Sequence, residues 1–400
     1  MGYGSMWGFN VALLPSLSIV IRDLKSNEDI KDFTIGTYLK GEVTHSPYNT
    51  SLYRFKINTI RGDYKDGKVN KNRLRMWEKS DFAPRSDDIF QERLYCIQWM
   101  KPQPNSTKFD YQFRSVTTED LKREQKVIDF VGSHLTDWQE KGFIPDMVIE
   151  AGAKTDEPIR TRGWTHWHHL FNPRQLLWGA LCIKYAQSNT TLSILQTINR
   201  NARLSRWDRS QIGGGGSVKD VFYNQALNTL YDYGCRATES AKVFLEKSVY
   251  AQSINTYYFV NSHPAQELDV ENDIYITDPP YGDAVKYEEI TEFFIAWLRK
   301  NPPAEFAHWT WDSRRSLAIK GEDEGFRQGM IAAYRRMAEM MPDNGIQVLM
   351  FTHQSGSIWA DMANIIWASG LQVTAAWYVV TETDSALRQG ANVTGTIMLV

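Results

Sequence analysis

From about residue 238 to its end, the chain alternates apolar runs of strand length with amphipathic runs of helix length, and this alternation limits the possible folds more than any other feature. A helix is expected over Thr238 to Ser248, followed by strands at Thr256 to Val260 and Asp273 to Thr277. Helices follow at Glu288 to Arg299 and Asp323 to Met341. The turn Pro342-Asp343-Asn344-Gly345 then leads into a strand from Ile346 to Thr352. A helix from Ile358 to Ala368 is closed by Gly370. The last two strands, Gln372 to Val380 and Thr394 to Val400, have no helix between them. The expected class is therefore α/β, with a mostly parallel sheet ending in an antiparallel pair.

The rest of the chain follows a different pattern. At 400 residues it is long enough for more than one domain, and its 42% apolar and 23% charged residues describe a folded chain. The reading is 1–155 as a mixed α+β insertion and possible DNA-contacting region, 156–237 as a helical connecting region, and 238–400 as the α/β part. Thr117 or Thr118, followed by Glu119 and Asp120, caps a helix with Leu121, Val127, Ile128, Val131, Leu135 and Trp138 at helical spacing. Asn172 and Pro173 open a second helix with a stripe of Leu176, Leu177, Ala180 and Ile183. The Lys- and Arg-rich stretch from Asn58 to Arg75 reads as a hairpin, either solvated or facing phosphate. Gly213 to Gly216 follow no apolar strand and read as a flexible turn. The 14 tryptophans are scattered and read as core. The apolar stretches Val11 to Ile21 and Ile346 to Thr352 are too short to span a bilayer, so no membrane partner is expected. Cys96, Cys182 and Cys235 cannot all pair, which points to a reducing compartment and a cytoplasmic location.

The chemistry concentrates in Asp278-Pro279-Pro280-Tyr281, which follows an apolar strand directly. With proline near 5% of residues, such a motif arises by chance in roughly one chain of this length in a hundred. In open α/β sheets, the carboxyl ends of strands are where ligands bind. Two prolines stiffen the loop, remove two backbone donors and leave the Pro279 carbonyl as an acceptor. An exocyclic amino group can donate one hydrogen to Asp278 and the other to that carbonyl, which aims its lone pair at an electrophilic methyl group. Tyr281 offers a ring face to an extruded base.

On these residues the chain resembles the amino-methylating DNA methyltransferases, and acid at the first motif position resembles those acting on adenine. DPPYGDAVKYEEITEFFIAWLRK, VLMFTHQ, TDEPIRTRGWTHWHHLFNPRQLL and NQALNTLYDYGCRATESAK resemble one subgroup of large phage-defence DNA methylases that carry a domain of unknown function. The resemblance spans Trp7 to Val400 and is strongest from Glu157 to Trp297. It implies a Rossmann-like methyltransferase sheet, S-adenosylmethionine as cofactor, DNA as partner and a role in restriction-modification or phage defence. Asp278, Pro279, Pro280 and Tyr281 would form the amine site, with Tyr287 and Glu288 just beyond. Ser262 to Gln266 would touch the cofactor's adenine ring, with Ser262 and Gln266 as contacts. The family's glycine-rich turn and the acid after its second strand are not visible. The chain thus supplies the third to seventh strands and reads as lacking its cofactor-binding half, as a truncated or split product, the alternative being a cofactor loop in disguised form. Its final apolar run, Ile397 to Val400, points the same way. A partner chain or preceding segment would then supply the cofactor loop, and other defence-system proteins are possible partners.

Other constellations carry less. His166, His168 and His169 lack ligand spacing and partners, so no metal is expected. Arg160, Arg162, Trp164, Trp167 and Arg174 interleave arginine with aromatic residues ahead of a helix, which suits phosphate or unstacked bases. A packed, hydrogen-bonded elbow explains the same residues equally well. His353 follows its strand directly and reads as structural, Ser355 and His353 lack an acid for a triad, and Cys235 reads as core. Two further functional readings stand beside the DNA methyltransferase: a non-catalytic DNA-binding or assembly subunit of a defence complex, and an RNA or protein-glutamine amino methyltransferase.

Overall fold

The computed structural model describes residues 2–11, 38–39, 42–45, 53–104, 106, 109–205, 207–208, 217–218, 221, 257–280, 286–320, 324–353, 355–380 and 395–400. Tyr281, the glycine run 213–216, the expected helix over 238–248 and Cys235 lie outside these residues. The chain divides into two compact units, 1–253 with 289–312, and 254–288 with 313–400.

In the first unit, Gly2–Val11 pairs antiparallel with Phe90–Pro102, which pairs in turn with Phe109–Ser115. Leu94 and Ile97 are both buried although they stand three apart. The register explains this: Met6 pairs with Cys96 and Trp7 with Leu94, so Tyr95 is skipped and the bulge turns both side chains to one face. A smaller sheet joins Tyr38–Leu39, Glu42–His45 and Tyr53–Lys56, and a hairpin joins Asp63–Asp66 to Val69–Asn72.

The helix Thr118–Glu140 begins at a capping box in which Thr117 and Asp120 serve each other's backbone N–H groups. Of its expected stripe, Val131, Leu135 and Trp138 are buried, whereas Leu121 is exposed because it stands in the first turn, ahead of the packed face. Pro173–Tyr185 begins at the Asn172 and Gln175 box, with Leu176, Ala180 and Ile183 inside. The core gathers these residues with Trp164, Trp167, Phe171, Phe293 and Trp297. The Phe171 and Trp297 rings meet edge to face at 5.2 Å.

The second unit is built on a four-stranded mixed sheet. Ile274–Thr277 runs parallel to Ile346–Phe351, which pairs antiparallel with Gly395–Leu399, which pairs antiparallel with Ala376–Val380. One face is covered: Tyr275, Leu349 and Phe351 are buried against Phe326, Met330, Tyr334 and Met337 of the helix Glu324–Glu339 and against Met362, Ile365 and Ile366 of Gly356–Ala368. The other face carries exposed apolar side chains. Ile274, Ile276 and Ile346 are 58%, 69% and 45% exposed, and Trp377 in the last strand is exposed too. Parallel sheets ordinarily bury both faces.

The expected strand at Thr256 to Val260 is corrected. Tyr257–Val260 is exposed and has no regular structure, since no described strand lies beside it to complete a ladder. Among the described residues, no helix is long and apolar enough to cross a membrane.

Candidate functional site

Asp278-Pro279-Pro280 directly follows its strand. Ile274–Thr277 ends at Asp278, and Pro279 and Pro280 follow without regular structure, half-buried, with Asp278 exposed. The strand is held at both ends. Ile346 N–H donates to the Asp273 carbonyl at 2.9 Å, the Tyr275 hydroxyl donates to the Val270 carbonyl at 3.0 Å, and the Thr277 hydroxyl donates to the Val348 carbonyl at 3.4 Å. Because Thr277 stands opposite Leu349 in a parallel pair, the carboxyl ends of both strands open on one edge of the sheet. His353 lies at that edge, but its Nδ1 accepts from Ser355 N–H at 3.0 Å and its carbonyl accepts from Trp359 Nε1 at 2.9 Å, a structural role that holds the entry to the next helix. Ser262 is exposed, and its N–H donates to Asn261 Oδ1 at 2.8 Å. Gln266 lies in the short turn Ala265–Glu267, whose neighbours Ala265 and Leu268 pack on the cluster around Glu324–Glu339.

The arginine and tryptophan segment forms a packed elbow. Gly163 ends the helix Asp156–Arg162 at φ +73°, and a Cβ there would stand 2.0 Å from the Arg75 carbonyl, so only glycine fits. Trp164, Trp167 and Arg162 are at most 3% exposed. Guanidinium groups and indoles alternate through the interior: Arg162 lies 5.4 Å from the Trp164 ring centre, Arg203 lies 5.5 Å from Trp164 and 5.4 Å from Trp77, and Arg75 lies 5.9 Å from Trp77. Burial pushes the Arg162 guanidinium down to about 10. Arg174 Nε donates to Glu124 at 3.0 Å, and exposed Arg160 donates to Asp156 at 3.2 Å. In this fold Trp164, Trp167 and Arg162 are buried in the packed elbow, the arrangement that explains the same residues without a nucleic acid.

The three histidines complete the same elbow. Nε2 of His168 bonds the Asp81 carbonyl at 3.0 Å, and Nε2 of His169 bonds the Glu78 carbonyl at 3.0 Å. Burial, reinforced by His166, pushes His168 down to about 3 and also lowers His169. Both rings are therefore neutral when folded but take up protons when unfolded below the ordinary value of 6.5. Stability is expected to be fully present above pH 6.5 and to fall as the pH drops below it. The slope should approach ~1.4 kcal/mol per pH unit for each ring. Urea midpoints measured on either side of pH 6.5 check this, and a flat profile would mean that the rings are protonated in the folded chain.

Sequence reasoning missed Glu289. It is 5% exposed, and its carboxylate accepts the consecutive backbone N–H groups of Ala153, Lys154 and Thr155 at 2.9, 2.8 and 3.1 Å, and the Thr155 hydroxyl at 3.1 Å. Burial by itself raises its pKa, but the donors outweigh that and hold the carboxyl below its usual range. The partners stand more than 130 positions away in the chain, so no local spacing signals the contact.

Among the described residues, no group of three or more His, Cys, Asp or Glu side chains is placed to hold a metal ion. Cys182 is free, and burial pushes its thiol up to about 11, far from nucleophilic character. No protein-family model, curated protein or solved structure matches this chain.

Proposed function

We propose that this chain is the target-binding and catalytic part of an adenine-specific DNA methyltransferase of restriction-modification or phage defence, working in the cytoplasm. The observation that carries the reading is Asp278-Pro279-Pro280 at the carboxyl end of a parallel strand, in a sheet that closes with an antiparallel pair. That order supports a Rossmann-like methyltransferase sheet entered at its third or fourth strand.

In this reading the work of the chain's own residues is orientation. Asp278 accepts one amino hydrogen of an extruded adenine and the Pro279 carbonyl accepts the other, so the nitrogen lone pair points along the line of attack. Tyr281 stacks on the base. The two prolines keep that geometry fixed before the base arrives, so little ordering cost falls on the reaction. The amine needs no strong base, since methylation itself makes it acidic.

The implied methyl donor is S-adenosylmethionine, and the described residues do not form a cradle for it. Ser262 is exposed and bonded to its neighbour, and the edge of Ile274–Thr277 nearest the motif has no described strand beside it. The donor's binding surface is therefore assigned to a strand and turn beyond the described residues, from this polypeptide or another. That edge and the exposed apolar side chains of the sheet also favour a second reading, a DNA-binding or assembly subunit that is completed by a partner.

Calorimetric titration of the chain with S-adenosylmethionine, followed by labelled methyl transfer to adenine-containing duplex, separates the two readings. Micromolar binding with transfer is expected of the enzyme. Duplex binding on a folded sample without donor binding would fit the subunit reading, or an enzyme whose donor surface another polypeptide supplies, and would remove a self-sufficient enzyme.

A further inference from the structure

Asp63–Asp66 and Val69–Asn72 form a hairpin whose eight strand residues are all exposed, closed by Gly67 and Lys68 with Gly67 at φ +62°. It has no apolar side to bury, yet its base is well tied. Arg73 N–H donates to the Gly62 carbonyl at 3.0 Å, and Asn72 donates to the Arg61 carbonyl at 3.2 Å. Both of its acids are occupied: Asp63 accepts from the Asn72 amide and Asp66 from Lys71, each at 2.5 Å. The cations Lys65 and Lys68 have no acidic partner among the described residues, and the Arg73 guanidinium rests 4.9 Å from the Tyr64 ring centre. Two positions apart on the preceding strand Tyr53–Lys56, Arg54 and Lys56 share a face and are exposed. Residues 54–73 hold seven lysines and arginines against two acids, in a chain whose net charge is −2. Charge separated in this way, on a hairpin whose strand residues are all exposed, matches a polyanion.

We infer that this hairpin is a contact for the phosphate backbone of duplex DNA, with Lys65, Lys68 and Arg73 as its contacting cations. The inference rests on the nucleic-acid part of the proposed function and not on methyl transfer. Side chains aimed at phosphates position a duplex without reading its sequence, so the hairpin sets affinity and its salt dependence.

The test is fluorescence anisotropy of labelled duplexes with the full chain over a series of salt concentrations, comparing wild type with the triple variant Lys65→Ala, Lys68→Ala, Arg73→Ala. All three side chains are exposed, so the fold is retained, and circular dichroism checks it. A second triple variant, Lys101→Ala, Lys122→Ala, Lys126→Ala, removes the same charge elsewhere on the surface of the first unit. The hairpin variant is expected to lower the slope of log K against log salt by about 0.9 for each lost contact. Its affinity should fall on the order of ten- to a hundredfold at about 0.1 M salt, equally for unrelated sequences. Equal losses in the two variants, or none in the first, would overturn the inference. So would tighter binding of wild type to duplex RNA or to phosphatidylserine vesicles than to DNA. Hairpin-dependent DNA binding without methyl transfer would sustain this contact while removing the proposed enzyme.

Discussion

Replacing Asp278 with alanine is expected to lower methyl transfer to adenine by roughly a hundredfold or more in the donor-competent protein, by analogy with the loss of one fixed polar group in a reacting site. The effect on unfolding stability should be small beside this loss, because Asp278 is exposed. The loss should appear in kcat with saturating DNA, since the carboxylate acts on the orientation of the amine and not on the grip of the duplex. Asp278→Asn keeps an acceptor oxygen and should retain more activity than alanine. Single-turnover incorporation of labelled methyl, measured beside duplex affinity, distinguishes these outcomes. An alanine variant with unchanged turnover would remove Asp278 from the chemistry, whatever the fate of the DNA contact.

Glu289→Ala is expected to have the largest effect on stability in the first unit. It would remove the acceptor shared by the consecutive backbone donors of Ala153, Lys154 and Thr155, the last of them buried, while the Thr155 hydroxyl keeps the Glu150 carbonyl at 2.6 Å. Stranded buried donors and a lost charge-assisted network cost about 3–5 kcal/mol. The urea midpoint should fall with little change in slope. Glu289→Gln should recover only part of the loss, because an amide presents one acceptor oxygen where the carboxylate presents two. Combined with Thr155→Val, the alanine variant should lose less than the sum of the two single losses, since Thr155 donates to the same carboxylate. Strict additivity would show that the network seen around Glu289 does not operate as a unit.

The parts of the fold that were legible in the sequence share a local cause. The Thr117 and Asn172 caps, the 3.6-residue stripes, the Pro342 to Gly345 turn and the polar hairpin are each decided within a few residues, and each stands where its residues indicate. What was not legible depends on distant partners. Tyr257–Val260 carries a strand's composition but has no ladder beside it among the described residues. Trp164 and Trp167 read equally as a stacking surface or as core until the elbow closes over them with Arg203, His168 and His169. Glu289 gave no sign at all, because its donors come from a loop far away in sequence. At the amine site, the strand and the two prolines were legible as local structure. That no described strand pairs with the free side of Ile274–Thr277 was not legible, because pairing depends on residues distant in the sequence.

The pairing of Gly2–Val11 with Phe90–Pro102 also sets a schedule for synthesis. Gly2–Val11 leaves the ribosome before its partner and has to wait until residue 102 has followed it before this ladder can close. At about 5–20 residues per second that delay is on the order of ten seconds. For its duration, the ten residues of Gly2–Val11 remain without this partner strand on the nascent chain, open to chaperones or to the same segment on a neighbouring ribosome. Slower elongation lengthens that exposure, so the yield of folded chain is coupled to the pace of translation between the two strands.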